Sequence, residues 1–405
     1  MHNGDVPDRA TATQSSDAQE GWTPRKRLLT AINHEEPDRV PRDLGSTPVT
    51  GISVITYANS LPYLGLSDEL SEIPLDDVIQ QLTTPSGQFL SNLKIDVRGV
   101  GPTRTYAWRM TYRHNTRYIS FTDEFGIEWG CNLDGGHYFD IIHSPLSSAE
   151  TLFDIDRHPW PDSSQAANSI LDKANYVQQL SSRYPVVLRP LSGGFFEMAF
   201  WVRGFEQFYV DLAANHALAC GIMDRLLEME MNYYDLLLDR IGQHIDIVQE
   251  GNDFATQKGL MISPATYRQL VKPRQRELYS FIKKKAPHVK IMLHSCGAIR
   301  DIIPDLIEVG VDILNPVQVS ADGMDPAELK RDFGEDLTFW GGGVDTQSTL
   351  PHGRPQQVKD EVKKRIEQLA PGGGFVFATV HNIQHDVPTE NLVALWQALE
   401  EYGQY

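Results

Sequence analysis

Residues Val289–Gln318 read VKIMLHSCGAIRDIIPDLIEVGVDILNPVQ. VKIML is a short run dominated by apolar residues, as a strand buried on both faces requires. IRDIIPDLIEVG brings its apolar residues back at helical spacing and stops at Gly310, a residue type that readily ends a helix. VDILNPVQ then repeats the strand pattern. Strand, helix and strand in that order predict a parallel sheet covered by helices, because parallel neighbours need a crossover between them.

The same unit recurs outward from this stretch. YPVVLRPLSGG (184–194) and IDIVQEGND (245–253) precede it; LTFWGGGV (337–344) and GGFVFATVHN (373–382) follow, each separated from the next by a helical pattern. The first half adds two less regular candidates, DRVPRDLGS (38–46) and KIDVRGVG (94–101). Eight strands is the number that closes a (β/α)8 TIM barrel, with an open doubly wound sheet as the alternative. Between about residues 101 and 145 the pattern turns alternating and aromatic, as in TRYISFTDEFGIEWG. That is expected to be an inserted β-hairpin region, placed as a lid over one barrel end. Residues 1–22 are polar, with few large apolar side chains, and are expected to be a disordered tail before a single barrel domain over 23–405.

Composition excludes several roles. The formal charge is −18, which argues against nucleic acid or an anionic membrane surface as partner. No apolar run reaches the roughly 18 residues of a membrane span, and the start lacks the basic and apolar regions of a secretory signal. Three cysteines, Cys131, Cys220 and Cys296, in so long a chain fit the reducing cytoplasm. A homo-oligomer is compatible with this composition.

In such a barrel the chemistry sits where the strands end. Those ends carry Ser192 to Gly194, then Glu250, Asn252 and Asp253, then His294 and Cys296, then Asn315 and Gln318, then Gly341 to Gly343 with Asp345, and last His381 and Asn382. His294 and Cys296 stand two apart, on the same side of an extended chain, so one metal ion can take both. Zinc favours such nitrogen and sulfur ligands, and a catalytic zinc keeps three protein ligands and one open position. The bland alternative is a hydrogen-bonded buried histidine beside a small buried cysteine. For the third ligand Glu250 ranks first by nearness, then Asp253, then His381. The glycines of WGGG serve an anion or, more simply, a tight barrel turn. GGFFEMAFWVRGFEQF follows directly on a strand end, which offers Phe195, Glu197 and Trp201 as substrate-binding groups, or else as a packed helix.

PRKRLLTAINHEEPDRVP, HSCG, GVDILNPVQ, GGGVDTQ and HNIQHDVPTENLVAL together resemble the uroporphyrinogen decarboxylase superfamily, over nearly the whole chain from Thr23. The resemblance implies a (β/α)8 barrel and one of two activities. Decarboxylases of the superfamily carry an arginine-rich, MRQAGR-like motif near the start; the corresponding RDLGSTPVTGIS holds Arg42 alone. The methyltransferases carry a His-x-Cys zinc motif and a later cysteine. His294 and Cys296 match the first part, while FATVHN stands where the later cysteine belongs. What the resemblance then implies is the demethylating branch: zinc on His294, Cys296 and a third group such as His381, with Glu250 or Asp253 handling a proton. Phe195, Glu197, Trp201, Asn315, Gln318, Asp345 and the region of Tyr138 would hold a small methyl donor, such as a methoxylated aromatic. The methyl acceptor would be a corrinoid on a separate protein, since this chain has no Asp-x-His-x-x-Gly cobalamin motif. A carboxy-lyase on another acid and a non-catalytic ligand-binding barrel are the alternatives.

Overall fold

The computed structural model describes residues 21–102, 113–114, 118–132, 136 and 138–405. The tail expected over residues 1–22 therefore lies outside the described residues except for its last two. Seven parallel strands pair side by side in chain order: Arg98–Val100, Val186–Leu188, Ile247–Gly251, Lys290–His294, Ile313–Asn315, Thr338–Trp340 and Phe375–Val376. Such an unbroken order around one sheet is that of a TIM barrel.

The eighth place belongs to residues 40–43. Phe377 donates its amide to the Pro41 carbonyl and Asp43 donates to the Phe377 carbonyl, both at 2.9 Å. On the other side Asp96 donates to the Arg42 carbonyl at 2.9 Å. Proline cannot donate to a ladder, so this segment closes the barrel through bridges rather than as a regular strand.

Strand alternation divides the core in two. Val97, Val187, Ile247, Met292, Ile313, Trp340 and Val376 point inward and pack together, with Leu28 and Ile32 of the helix Pro24–Ile32. That helix stops the lower end of the barrel. Its start is fixed by Thr23, whose side chain accepts from the Lys26 amide, and by Pro24 at the first helical position. The outward residues, Val248 and Leu293 among them, pack under the helical layer. With the interior below filled by these apolar side chains, the inward-facing polar groups at the strand ends open onto the upper mouth.

The inserted region is larger than the single hairpin expected. Arg113–His114, Tyr118–Thr122, Glu128–Asn132 and Asp140–His143 form a four-stranded antiparallel sheet. Asp123 fixes one turn, accepting from the amides of Phe125 and Ile127 and from Trp129 Nε1. The ring of Trp129 meets Trp201 edge-on at 5.3 Å, which ties the insertion to the barrel mouth. Among the described residues no helix is long and apolar enough to cross a membrane.

Candidate metal and substrate site

Met292 belongs to the inner core, so two residues further along the same strand His294 also faces inward. Its Nε2 lies 3.5 Å from Cys296 Sγ. His381, in the loop after the last strand, completes the group: the ligand atoms of His294, Cys296 and His381 all lie within 4.8 Å of one another. A tetrahedral zinc with ordinary bond lengths sets its nitrogen and sulfur ligands about 3.6 Å apart, close to the His294–Cys296 spacing.

The donors are in suitable states. Asn315 Oδ1 lies 2.6 Å from His294 Nδ1, which keeps the proton on that nitrogen and leaves Nε2 free. Burial pushes His294 down to about 4, against the opposing Asn315 hydrogen bond. Burial and the neighbouring His294 push His381 down to about 4. Both imidazoles are therefore neutral near pH 7. Burial, with Asp253 and Glu197 nearby, pushes the Cys296 thiol well above its ordinary value. Two neutral imidazoles and a sheltered thiol offer two nitrogens and one sulfur, a donor set that a borderline-soft divalent cation completes, with one position left over. Asp253 stands beside them, accepting from the Cys296 amide at 2.8 Å and lying 3.9 Å from His294 Nε2. Burial raises its pKa.

His294 and His381 line a cavity of about 830 Å³ together with Asp253, Glu197 and an aromatic wall of Trp129, Phe200, Trp201 and Phe205. Tyr138 reaches in from the insertion, donating to Asn382 Oδ1 at 2.8 Å and accepting from Gln384 Nε2. Burial raises its pKa, so the phenol keeps its proton.

Several residues expected at the site are placed elsewhere. Glu250 is turned away by strand alternation: Gln249 and Gly251 line the cavity, and Glu250 points into the helical layer, where Tyr234 donates to it. It is neither near the metal group nor next to the cavity, which corrects its expected role as ligand or catalytic carboxyl. Phe195 is fully buried beneath the cavity wall. Asn315 supports His294 rather than lining the cavity, and Gln318 Oε1 accepts from the Gly297 amide at 2.7 Å. Asp345 binds the Gln347 amide and the Ser348 hydroxyl. Asn252 Oδ1 accepts from the amides of Phe196 and Glu197. The glycine run is a tight turn: a Cβ at Gly343 would lie 2.3 Å from the Phe377 ring. Sequence reasoning missed Gln249, Arg189 and Trp129. The inward register of Ile247 and Gly251 was a signal that could have found Gln249.

The sequence matches the family described as uroporphyrinogen decarboxylase (URO-D) over residues 142–402, well over half of the chain. The chain belongs to that family. Within the uroporphyrinogen decarboxylase family it is 24% identical to a uroporphyrinogen decarboxylase of Pseudomonas syringae, over 73% of this chain and 83% of that one. It is 28% identical to a methylcobamide:CoM methyltransferase of Methanosarcina barkeri over 35% of this chain. That match spans only 38% of the methyltransferase's length. A solved methyltransferase from Methanosarcina mazei shares the fold, with a TM-score of 0.58 and 18% identity over 94% of this chain and 99% of that one.

Proposed function

We propose that this uroporphyrinogen decarboxylase family member is a zinc-dependent methyltransferase. It would take a methyl group from a small donor, a methoxylated aromatic being the kind that suits the aromatic wall, and pass it to a corrinoid on a separate protein. The observation that carries this reading is the convergence of His294, Cys296 and His381 beside that wall. With two neutral imidazoles and one thiolate, a zinc ion there would supply stronger Lewis acidity toward the donor's oxygen than one held by two thiolates.

The chain's own residues do the rest. Asn315 orients the His294 ring. Trp129, Trp201 and Phe200 hold an aromatic donor and keep water from it. Asp253, 3.9 Å from His294 Nε2 and held by the Cys296 amide, is the carboxyl placed to handle the proton that the leaving oxygen needs.

A carboxy-lyase acting on a polycarboxylate needs cations facing the cavity. Among the described residues Arg189 is the one Lys or Arg that lines it, and it is already engaged by Asp76 and by the Ser46 and Gly45 carbonyls. Arg42 is buried away from the cavity and paired with Glu400.

The test is to incubate the zinc-loaded protein with cob(I)alamin and methoxylated aromatics, and separately with methylcobalamin and a thiol, following the corrin spectrum. Methylcobalamin should form in the first assay, with no methyl transfer in the second. Transfer to the thiol alone would overturn the assignment.

A further inference from the structure

Gln249 is a polar group of the cavity that this chemistry leaves unused. It lies on the strand Ile247–Gly251, paired in register with Met292 beside His294. The residue is 4% exposed yet lines the cavity. Its Nε2 reaches only the Glu250 carbonyl, at 3.5 Å. Its Oε1 is sealed from solvent and has no hydrogen-bond partner. Turning the amide over would set its oxygen against that carbonyl and strand the amide hydrogens instead. One end of the amide thus lacks a protein partner in either orientation.

Native folds rarely leave a buried acceptor in that state, because it loses its bonds to water and gains none in return. The terminal amide torsion is soft, so Oε1 can turn toward a donor that enters the cavity. Gly251, the next inward-facing residue toward the mouth, also lines the cavity, with the Gly193 backbone packed against it. Asp253, the following residue on that side, stands beside the metal group. A ligand lying along this strand therefore meets Asp253 near the metal ligands and Gln249 at its buried end.

We infer that Gln249 is a specificity-determining residue whose Oε1 accepts a hydrogen bond from an O–H or N–H group at the buried end of the substrate. The substrate is then a methyl ether that also carries a free hydroxyl or amine. The methyl-ether half of this statement rests on the methyltransferase reading; the hydrogen-bond half does not, and it is tested by binding alone.

The experiment measures calorimetric binding of 2-methoxyphenol and 1,2-dimethoxybenzene to the full zinc-loaded chain. The two probes differ by one hydrogen-bond donor. Wild type should prefer the phenol by about 10-fold or more, and Gln249→Met should reduce the preference to within about 2-fold while keeping its zinc. Gln249→Leu serves if the methionine variant does not fold. The ligand-free variant should also melt higher than wild type, since the unpaired amide is gone. Equal binding of the two probes, binding of neither, or a preference that survives the substitution overturns the inference. A preference that behaves as expected while no methyl reaches cob(I)alamin would overturn the methyltransferase reading and leave the role of Gln249 standing.

Discussion

Glu250→Gln is expected to stabilise the protein, and to do so only when the pH is high enough. Glu250 is fully buried, takes one hydrogen bond from Tyr234, and has a second oxygen with no partner. Burial outweighs the Tyr234 hydrogen bond and raises its pKa from 4.5 to about 8. The nearby Glu230, also buried with both oxygens unpartnered, is raised in the same way by burial and by Glu250. A group whose folded pKa is raised contributes stability that is complete below its unfolded pKa and is lost as pH climbs toward the folded value. Between pH 4.5 and 8 the folded chain must hold a proton that the unfolded chain releases. At pH 7 that amounts to about 3 kcal/mol, at about 1.36 kcal/mol per pH unit. Glutamine keeps an acceptor for the Tyr234 hydroxyl and has no proton to lose, so the variant avoids this cost. For a chain of this length the gain corresponds to about 4 °C in melting temperature at pH 7, and it should nearly vanish at pH 5. Thermal unfolding of both proteins at the two pH values is the assay. A variant less stable than wild type at pH 7, or shifted equally at both pH values, would refute the burial argument. Loss of bound zinc or of ligand binding in this variant would return Glu250 to the site.

Two further outcomes are expected. His381→Ala should weaken zinc binding by more than about 100-fold, because even outer partners of metal ligands contribute 10- to 100-fold; stoichiometric zinc retained after dialysis against a chelator would remove His381 from the ligand set. Arg42→Met should cost about 1–2 kcal/mol in urea unfolding, since it removes one of the two cations paired with the half-exposed Glu400 and a buried donor to the Leu399 carbonyl. Its ligand binding should be unchanged, and a fully stable variant that no longer binds ligand would mean that Arg42 serves the substrate.

The barrel was legible because its strands carry almost no polar residues until they end. VKIML and VDIL have one register that fills both faces, and the intervening helix has one face to bury. The segment 40–43 was legible as a strand position from its place before KIDVRGVG, although Pro41 denies it a regular ladder. The insertion was legible as β structure but not in its extent. Short strands such as Arg113–His114 leave too little alternation to count, and a turn like that at Asp123 depends on one side chain caging two amides and an indole. Nothing in composition marks which of several Asp and Glu residues does this.

The cluster of His294, Cys296 and His381 shows where sequence distance misleads. His294 and Cys296 could be paired from spacing alone, because two residues along an extended chain share a side. By the same rule Glu250 should have been set aside: it is out of phase with Ile247, Gln249 and Gly251, and an inward Ile247 forces it outward. His381 ranked last because the final strand neighbours the first strand, not the fifth. Yet a barrel mouth is narrow, and a loop leaving the last strand can cross it. The Asn315 amide shows the same economy in the other direction. It was expected to touch substrate, but its oxygen holds His294 and its Nδ2 donates to the Trp340 carbonyl at 2.7 Å. Both ends of that amide are occupied, and no ligand can recruit it without releasing the histidine. Gln249 has one end unoccupied, and that difference makes it, and not Asn315, the amide that a substrate can use.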